Sequence, residues 1–422
     1  MLGFSYIELV GKSCILRFCC VVLWLFSCYS LKAQVLGFTL EEGKTKVEIP
    51  IEIYNNLVVV PVVLNNTLPL KFVLDTGVRT AILTQKTFSD ILNLAYSRKY
   101  TITGPGGEKM VDAYVTNNVS LTLPGVHGKG HALLVLAEDY LELRNYLGTD
   151  VHGILGYELF SRFLVRVDYE RKLLTLYAPQ AFKKPPKYQS LQITIEDTKP
   201  YVLLPVVLPD GVTIDAKLLM DSGASHALLL DPLSDSRIKV PPKAISSNIG
   251  RGLGGEITGK AGRIRSLSIG SYRVPNVIAN FPDEGSYSDT STVKIFRHGT
   301  LGGEILSRFT VIFDFPKEKV YLKKNAHFKK VFHYNLSGIT VKSKGAKLNV
   351  FEVSSVREGS VSYKAGIEKG DLIMTLNGMN SNTMDLNEVL TILNQKPGKK
   401  VKMEVSRKGI RIKKEFVLAD QI

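Results

Sequence analysis

Short runs of apolar residues recur along the first three quarters of the chain, and close turns separate them. Residues 58–64 and 71–74 are rich in Val and Leu, with an Asn-Asn pair between them. Residues 202–208 and 217–220 repeat this arrangement around a Pro-Asp-Gly turn. Runs of this length, bounded by turn-forming residues, predict β-strands.

Two further pairs of runs indicate hairpins. They are residues 164–168 with 173–177, and 310–315 with 320–322. Helical periodicity is scarce throughout this region, so we expect barrel-like, all-β units.

The last ninety or so residues have a different pattern. Residues 348–356 alternate like a strand, and apolar residues fall at helical spacing over 385–393. Strands are predicted over 401–405 and 410–418. This indicates a separate α+β module, joined to the β region through the lysine-rich stretch 323–330.

An internal repeat divides the β region in two. An Asp-Thr-Gly at 75–77 recurs as Asp-Ser-Gly at 221–223, an offset of 146 residues. A His-Gly-Ile-Leu-Gly at 152–156 recurs as His-Gly-Thr-Leu-Gly at 298–302, at the same offset. A repeat of this length is a whole domain rather than a solenoid unit of about 20–50 residues. The predicted lobes are residues 46–190 and 191–326.

The repeated tripeptide suggests a pair of catalytic carboxylates. One such tripeptide alone fits an ordinary turn, but pseudo-twofold pairing of the lobes would bring Asp75 and Asp221 together. Two carboxylates in contact cannot both ionise, so they share one proton. The ionised partner can then act as general base on a water, while the other donates to a substrate carbonyl. Which of them holds the proton stays open, because such a pair titrates as a unit.

The other residues of the two motifs are expected to support the catalytic loops. Hydroxyls can brace the opposite loop, and glycines permit a tight turn and a close backbone approach. These supporting residues are Thr76, Gly77, Ser222 and Gly223.

The paired motifs resemble those of the retropepsin/pepsin superfamily, most closely the bacterial aspartyl-protease-like proteins that carry a PDZ domain. In that family an apolar-Gly element packs beneath each catalytic loop, and residues 154–156 and 300–302 match it. The resemblance covers about 46–326 and implies an aspartic endopeptidase. The chain departs from the usual Asp-Thr-Gly-Ala-Ser/Thr at Val78 and Arg79, and an Arg so near the pair could lower its pKa values.

Glycine-rich segments lie between each Asp motif and the next apolar-Gly element, where substrate-covering flaps are expected. An ordinary long turn is the alternative for each of them. The predicted flap residues are Gly104, Gly106 and Gly107 in the first lobe and Gly252, Gly254 and Gly255 in the second.

The C-terminal module resembles the PDZ domains attached to bacterial periplasmic proteases, over about 331–419. The resemblance rests on Gly-Ser at 359–360, Ala-Gly-Ile at 365–367 and Gly-Asp-Leu-Ile at 370–373. PDZ domains bind extended peptides at a sheet edge, often through the terminal carboxylate. The residues at the expected carboxylate loop are Leu336, Ser337, Gly338 and Ile339. A purely structural module is the alternative.

The first 33 residues predict an export signal. Lys12 and Arg17 precede a short apolar run, and a small residue, Ala33, stands before Gln34. Cleavage there would place the protein in the periplasm or cell envelope. Membrane attachment is expected only if the signal is retained or if Cys28 is lipidated.

The composition excludes further classes of function. All four cysteines lie before residue 34, so a mature chain has no disulfide, catalytic thiol or Cys-based zinc site. The formal charge is +15, but the basic residues are scattered and no nucleic-acid motif accompanies them. No metal or other cofactor is expected, and the partners are peptide or protein substrates and a C-terminal peptide ligand.

Two functions remain open at this stage. The first is an endopeptidase with both half-sites on one chain, which makes a retroviral-type homodimer unnecessary. The second is a catalytically inactive, peptide-binding scaffold that works through its PDZ domain.

Overall fold

The computed structural model describes residues 36–106, 110–287 and 295–422. The predicted signal, Cys28 and the flap residue Gly107 lie outside this part of the chain. Within it, no helix combines the length and apolarity needed to cross a bilayer.

The first lobe is built almost entirely of strands. They are β1 (Gly37–Leu40), β2 (Lys46–Pro50), β3 (Glu52–Tyr54), β4 (Leu57–Leu64), β5 (Leu68–Leu74), β6 (Ile82–Leu83), β7 (Tyr96–Ile102), β8 (Val111–Leu123), β9 (Val126–Leu136), β10 (Gly153–Leu155), β11 (Leu164–Asp168) and β12 (Leu173–Tyr177). Among the described residues of this lobe, three short α-helices interrupt the strands: α1 (Lys86–Ile91), α2 (Leu143–Leu147) and α3 (Tyr157–Phe160).

The second lobe repeats the plan. Its strands are β13 (Gln189–Gln192), β14 (Thr194–Glu196), β15 (Lys199–Val207), β16 (Thr213–Met220), β17 (Leu228–Leu230), β18 (Ile245–Gly252), β19 (Gly255–Arg263), β20 (Ser266–Ile269), β21 (Tyr272–Pro275), β22 (Ile278–Pro282), β23 (Gly299–Leu301), β24 (Phe309–Asp314) and β25 (Lys319–Lys324). One helix, α4 (Gly303–Leu306), occupies the place that α3 has in the first lobe.

Each lobe has its own large sheet, and a third sheet joins them. The lobe sheets run in the order β1-β9-β6-β10-β5-β4-β8-β7 and β18-β19-β22-β17-β23-β16-β15-β20-β21. The third runs β13-β25-β24-β11-β12-β2, and β11 pairs antiparallel with β24 across the lobes. One hydrophobic core is continuous through both lobes, so neither lobe is packed independently of the other.

The C-terminal module has a separate core. Its strands are β26 (Ile339–Lys344), β27 (Val350–Val356), β28 (Leu372–Leu376), β29 (Met379–Asn380), β30 (Lys400–Arg407) and β31 (Ile410–Val417), and its helices are α5 (Val361–Lys364) and α6 (Leu386–Leu393). Strand β26 forms one edge of the sheet, and α6 packs against it. Asp385 begins α6 with a capping box to Glu388.

The architecture confirms the mainly β fold class of the sequence prediction. The domain boundaries stay predictions, and two structural details lie close to them. Strand β13 starts at Gln189 and pairs with β25, so the second lobe's pairing begins just before the expected boundary at 190/191. The lysine-rich stretch 323–330 is only partly a connection, because β25 extends to Lys324 and a short 3₁₀ turn spans Ala326–Lys329.

Candidate active site

The two Asp-Thr/Ser-Gly loops follow equivalent buried strands. β5 ends at Leu74 and β16 at Met220, so each aspartate is the first residue beyond a strand that the core holds in place. A short parallel strand lies beside each of them, β10 and β23 respectively. The Asp75 amide donates to the Leu155 carbonyl at 2.9 Å, and the Asp221 amide donates to the Leu301 carbonyl at 2.9 Å.

The glycine after each short strand allows the close approach that this crossing needs. A Cβ on Gly156 would lie 2.1 Å from the Val78 carbonyl oxygen. A Cβ on Gly302 would lie 2.1 Å from the His226 carbonyl oxygen. Only glycine fits beneath either loop, and these are the apolar-Gly elements that the sequence singled out.

Four hydrogen bonds lock the two loops to each other. The Thr76 amide donates to Ser222 Oγ at 3.1 Å, and the Ser222 amide donates to Thr76 Oγ1 at 3.0 Å. Thr76 Oγ1 donates to the Met220 carbonyl at 2.6 Å, and Ser222 Oγ donates to the Leu74 carbonyl at 2.8 Å. Both hydroxyl residues are almost completely buried. Each therefore fixes the position of the aspartate in the opposite lobe.

The carboxylates of Asp75 and Asp221 meet at this junction and are half-buried. Each accepts a hydrogen bond from the glycine of its own loop, Gly77 to Asp75 Oδ1 at 2.6 Å and Gly223 to Asp221 Oδ1 at 2.9 Å. A Cβ on Gly77 would lie 3.1 Å from Asp75 Oδ1 and 3.5 Å from Asp221 Oδ1. A Cβ on Gly223 would lie 2.2 Å from Asp75 Oδ2, so this glycine has no room for a side chain.

Burial raises the pKa of Asp75 well above its usual range, and the negative charge of Asp221 and a hydrogen bond with that side chain raise it further. The Gly77 amide and the positive charge of Lys199 oppose the rise. A raised pKa keeps one proton on the pair at pH values where an ordinary Asp is ionised.

The cation that acts on Asp75 is not the one expected from the sequence. Arg79 is largely exposed and pairs with Asp197 at 3.4 Å, and the cation that lowers the pKa of Asp75 is Lys199. No motif in the sequence pointed to Lys199, because it reaches the site from the start of β15.

The sequence motifs also did not point to His226 as a site residue, although it lies three residues after Gly223. Burial lowers its pKa to about 4, against the opposing charge of Asp221. Its Nε2 is enclosed and makes no hydrogen bond with the described residues. A neutral imidazole therefore lies beside the second loop.

The two glycine-rich segments are hairpin tips that touch each other. The first, here flap 1, joins β7 to β8, and the second, flap 2, is the β18–β19 hairpin with Leu253 and Gly254 at its turn. The Gly254 amide donates to the Pro105 carbonyl at 2.9 Å. The backbones are also close at Gly106 and Gly252. A Cβ on Gly106 would lie 2.2 Å from the Gly255 carbonyl oxygen, and one on Gly252 would lie 2.1 Å from the Pro105 carbonyl oxygen.

Flap 2 also packs on the side of the first lobe that carries Asp75. Leu253 joins an apolar cluster that contains Val78, directly after Gly77, and Ile154, two residues before Gly156. Gly104 of flap 1 lies close to the same side chain, since a Cβ there would be 2.9 Å from Leu253 Cβ. The flap tips therefore lie beside the loop that carries Asp75.

The four residues of the expected carboxylate loop are all buried. Leu336 and Ile339 belong to the core of the C-terminal module. The amide of Gly338 donates to Asn335 Oδ1 at 2.9 Å and that of Ile339 to Ser337 Oγ at 3.3 Å. A terminal carboxylate would have to replace these internal acceptors.

The matched histidines have matched structural roles. His152 Nδ1 accepts from the Lys71 amide at 3.1 Å, and His298 Nδ1 accepts from the Lys217 amide at 2.9 Å. Among the residues that the structure describes, no three His, Cys, Asp or Glu side chains are grouped so that they could hold a metal ion.

Comparison with protein families agrees with this geometry. The aspartyl protease family model matches twice, over residues 60–159 and 204–304, and a PDZ domain model matches residues 352–407. Each protease match begins in the strand that pairs with the one leading into an Asp loop, β4 or β15, and ends in the helix after the apolar-Gly element. The chain has no significant match among curated protein sequences. The chain therefore contains two retropepsin-like aspartyl protease domains, followed by a C-terminal PDZ domain.

Proposed function

We propose that the protein is an aspartic endopeptidase whose catalytic pair is Asp75 and Asp221. The observation that supports this most directly is the meeting of the two carboxylates in loops that Thr76 and Ser222 bind together across the lobes. The raised pKa of Asp75 agrees with a pair that holds one proton.

The reaction needs only water and these two groups. The ionised carboxylate takes a proton from a water held between the pair, and that water attacks the peptide carbonyl carbon. The protonated carboxylate donates to the carbonyl oxygen as the tetrahedral intermediate forms. The carboxylate that took the water's proton then gives it to the amide nitrogen, and the C–N bond breaks to release the amine. A hydroxyl proton of the intermediate returns to the other carboxylate as the product acid forms, and no covalent enzyme intermediate arises. The fixed loop positions favour this step because both groups are aligned before substrate arrives.

The substrate is an extended peptide that lies under the two flaps. The apolar cluster around Val78, Ile154 and Leu253 favours an apolar side chain next to the scissile bond. The PDZ domain adds a second contact, with a C-terminal segment of the substrate or of another protein as its ligand. The protein acts in the periplasm or cell envelope, after loss of the first 33 residues.

The test is cleavage of a random peptide library by residues 34–422. Asp75→Asn and Asp221→Asn should each lower kcat by about 10²–10⁴-fold. The matched control is Asp215→Asn, an exposed position on β16, the strand that leads to Asp221. Pepstatin should inhibit the wild type, and EDTA should leave it unaffected.

The pH profile provides an independent check. Activity should have a bell-shaped dependence on pH with an acidic optimum, because Asp75 and Asp221 together must hold one proton and no more. Cleavage that survives replacement of both aspartates, or that EDTA abolishes, would exclude this mechanism. Peptide binding without any cleavage would select the scaffold function instead.

A further inference from the structure

The loop between β9 and β10 contacts both flap 2 and the PDZ domain. This connector, residues 139–148, contains α2 and belongs to the first lobe. On one side, Arg251 of flap 2 donates to the Tyr140 carbonyl at 3.3 Å and pairs with Glu142 at 3.2 Å. Its guanidinium also lies 5.6 Å from the centre of the Tyr146 ring.

The PDZ domain contacts the other side of the connector. Lys342 of β26 pairs with Glu142 at 3.1 Å. Arg144 donates to the carbonyls of Gly345 and Ala346, which follow β26, at 3.3 and 2.8 Å. At the end of the connector, a Cβ on Gly148 would lie 2.4 Å from Leu386 Cβ at the start of α6. The connector therefore lies where β26 and α6 border the peptide groove of a PDZ domain.

A single carboxylate thus bridges a cation of the flap and a cation of the PDZ domain. Glu142 and Lys342 have side chains only 26% and 18% exposed, so water screens this pair less than a fully exposed one. Burial opposes ionisation of Glu142, but the hydrogen bond from Lys342 and the charges of Lys342 and Arg251 hold its pKa below the usual range. Its backbone has a φ of 49°, a conformation that non-glycine residues seldom adopt.

We propose that Glu142 is a positioning residue for flap 2, and that through Lys342 it makes the PDZ domain part of the flap's support. This inference rests on the proposed function, because that function assigns flap 2 to the substrate site. A peptide that adds a strand to the free edge of β26 competes with α2 for the same region. Occupation of the PDZ groove then loosens the connector and, with it, the closed contact between the flap tips.

Hydrogen–deuterium exchange of the intact protein tests the coupling without any need for activity. The amides to follow are those of flap 2, residues 249–256, which include the Gly254 donor to Pro105. Lys342→Gln changes only the PDZ side, yet it should speed exchange in flap 2 about three- to fivefold. Glu142→Gln should have a larger effect, because both ion pairs are lost.

Two control variants separate this role from general destabilisation. Glu138→Gln removes an exposed carboxylate one residue before the connector and should leave flap exchange unchanged. Lys342→Arg keeps the cation and should restore wild-type exchange. If Lys342→Gln alters exchange only within the PDZ domain, the proposed coupling is wrong.

The same exchange measurements on the Asp75→Asn protein keep this test independent of the proteolytic function. Coupling that persists in a protein without cleavage upholds the role of Glu142, whatever the reaction is. In an active protein, Lys342→Gln should raise KM with little change in kcat, because a loosened flap weakens closure over substrate rather than the chemistry. A loss confined to kcat would contradict a positioning role.

Discussion

At the residue scale, the hydroxyls of Thr76 and Ser222 hold the two aspartate loops together, because each accepts from the amide of the opposite motif and donates to a carbonyl of the opposite lobe. This bracing and the pairing of Asp75 with Asp221 were predictable from the sequence, because the two motifs repeat at a constant offset. Lys199 and His226 could not be found in this way. Neither belongs to the repeated motif, and their proximity to the pair depends on how β15 and the second loop pack.

Thr76 should contribute strongly to stability. Thr76→Val preserves the shape of the side chain but leaves the Ser222 amide and the Met220 carbonyl without partners. Each buried unsatisfied group costs on the order of 1–3 kcal/mol, so the free energy of unfolding should fall by about 2–5 kcal/mol in urea titrations. The matched control is Thr175→Val, because Thr175 is fully buried and its Oγ1 makes no hydrogen bond with the described residues. A similar loss in both variants would contradict the role assigned to Thr76.

Replacing Asp75 should change how stability depends on pH. Its folded pKa is raised, so its contribution to stability is complete below the unfolded pKa and is lost as pH rises through the folded pKa. Asp75→Asn removes this loss. Urea midpoints at pH 4, 6 and 8 should therefore show the variant gaining stability over the wild type as pH increases. An Asp75→Asn profile that runs parallel to that of the wild type would show that the site does not raise this pKa.

At the element scale, the local sequence pattern was enough to predict a strand wherever both its apolar run and the adjoining turn are clear. β11 and β12 begin and end where the pattern placed them, and β4 and β16 extend it by one and four residues. Asn65 and Asn66 turn between β4 and β5 with φ of 48° and 56°, which Asn tolerates better than most residues. The connector had no such signal, because its partners lie 109 and 200 residues away along the chain.

Leu253 should determine how firmly flap 2 closes. Leu253→Ala removes the side chain that packs with Val78 and Ile154, at a cost on the order of 1–2 kcal/mol. We expect about a tenfold decrease in kcat/KM for a cleaved library peptide, with faster amide exchange at residues 249–256. Leu233→Ala is the control, because that leucine is 71% exposed. Unchanged kinetics in Leu253→Ala would show that flap 2 does not close over the substrate.

At the scale of the whole molecule, the order of two lobes and a PDZ domain followed from the repeat and from the change of pattern near residue 330. The contacts between these parts did not. Replacement of Gly338 by a bulky residue illustrates the difference. From the sequence alone, such a residue is expected only to block the carboxylate loop. In the structure Gly338 has a φ of 81°, and a Cβ there would lie 2.2 Å from Ser360 Cβ, so the substitution would distort the loop itself.

Export is a separate expectation for the whole chain. If the signal is cleaved, protein recovered from the producing cell should begin near Gln34 and lie outside the cytoplasm. N-terminal sequencing and cell fractionation measure this directly. A lipid on Cys28 would select the lipoprotein alternative, and soluble cytosolic protein beginning at Met1 would exclude both.

Removal of the PDZ domain tests which steps need only the two lobes and which also need the PDZ domain. Phe332 packs in the core of the lobes, and the guanidinium of Arg308 lies 3.5 Å from the centre of its ring, so the truncated chain should end after Tyr334 rather than before residue 331. The dyad, the cross-lobe bonds and both flaps remain. Short unstructured peptides should therefore still be cleaved, with kcat/KM reduced by only about three- to fivefold, because Glu142 loses Lys342 but keeps Arg251.

Protein substrates with accessible C termini should respond to the same truncation very differently. The PDZ contact raises the effective concentration of the cleavage site, by as much as about 10²–10⁴-fold in avidity when the geometry allows. Truncation should remove this gain mainly through KM. Parallel assays of one short peptide and one protein that contains it, near an accessible C terminus, measure the two effects side by side. If short-peptide turnover disappears while circular dichroism shows folded lobes, the PDZ domain is required for the catalytic architecture and does more than support one flap.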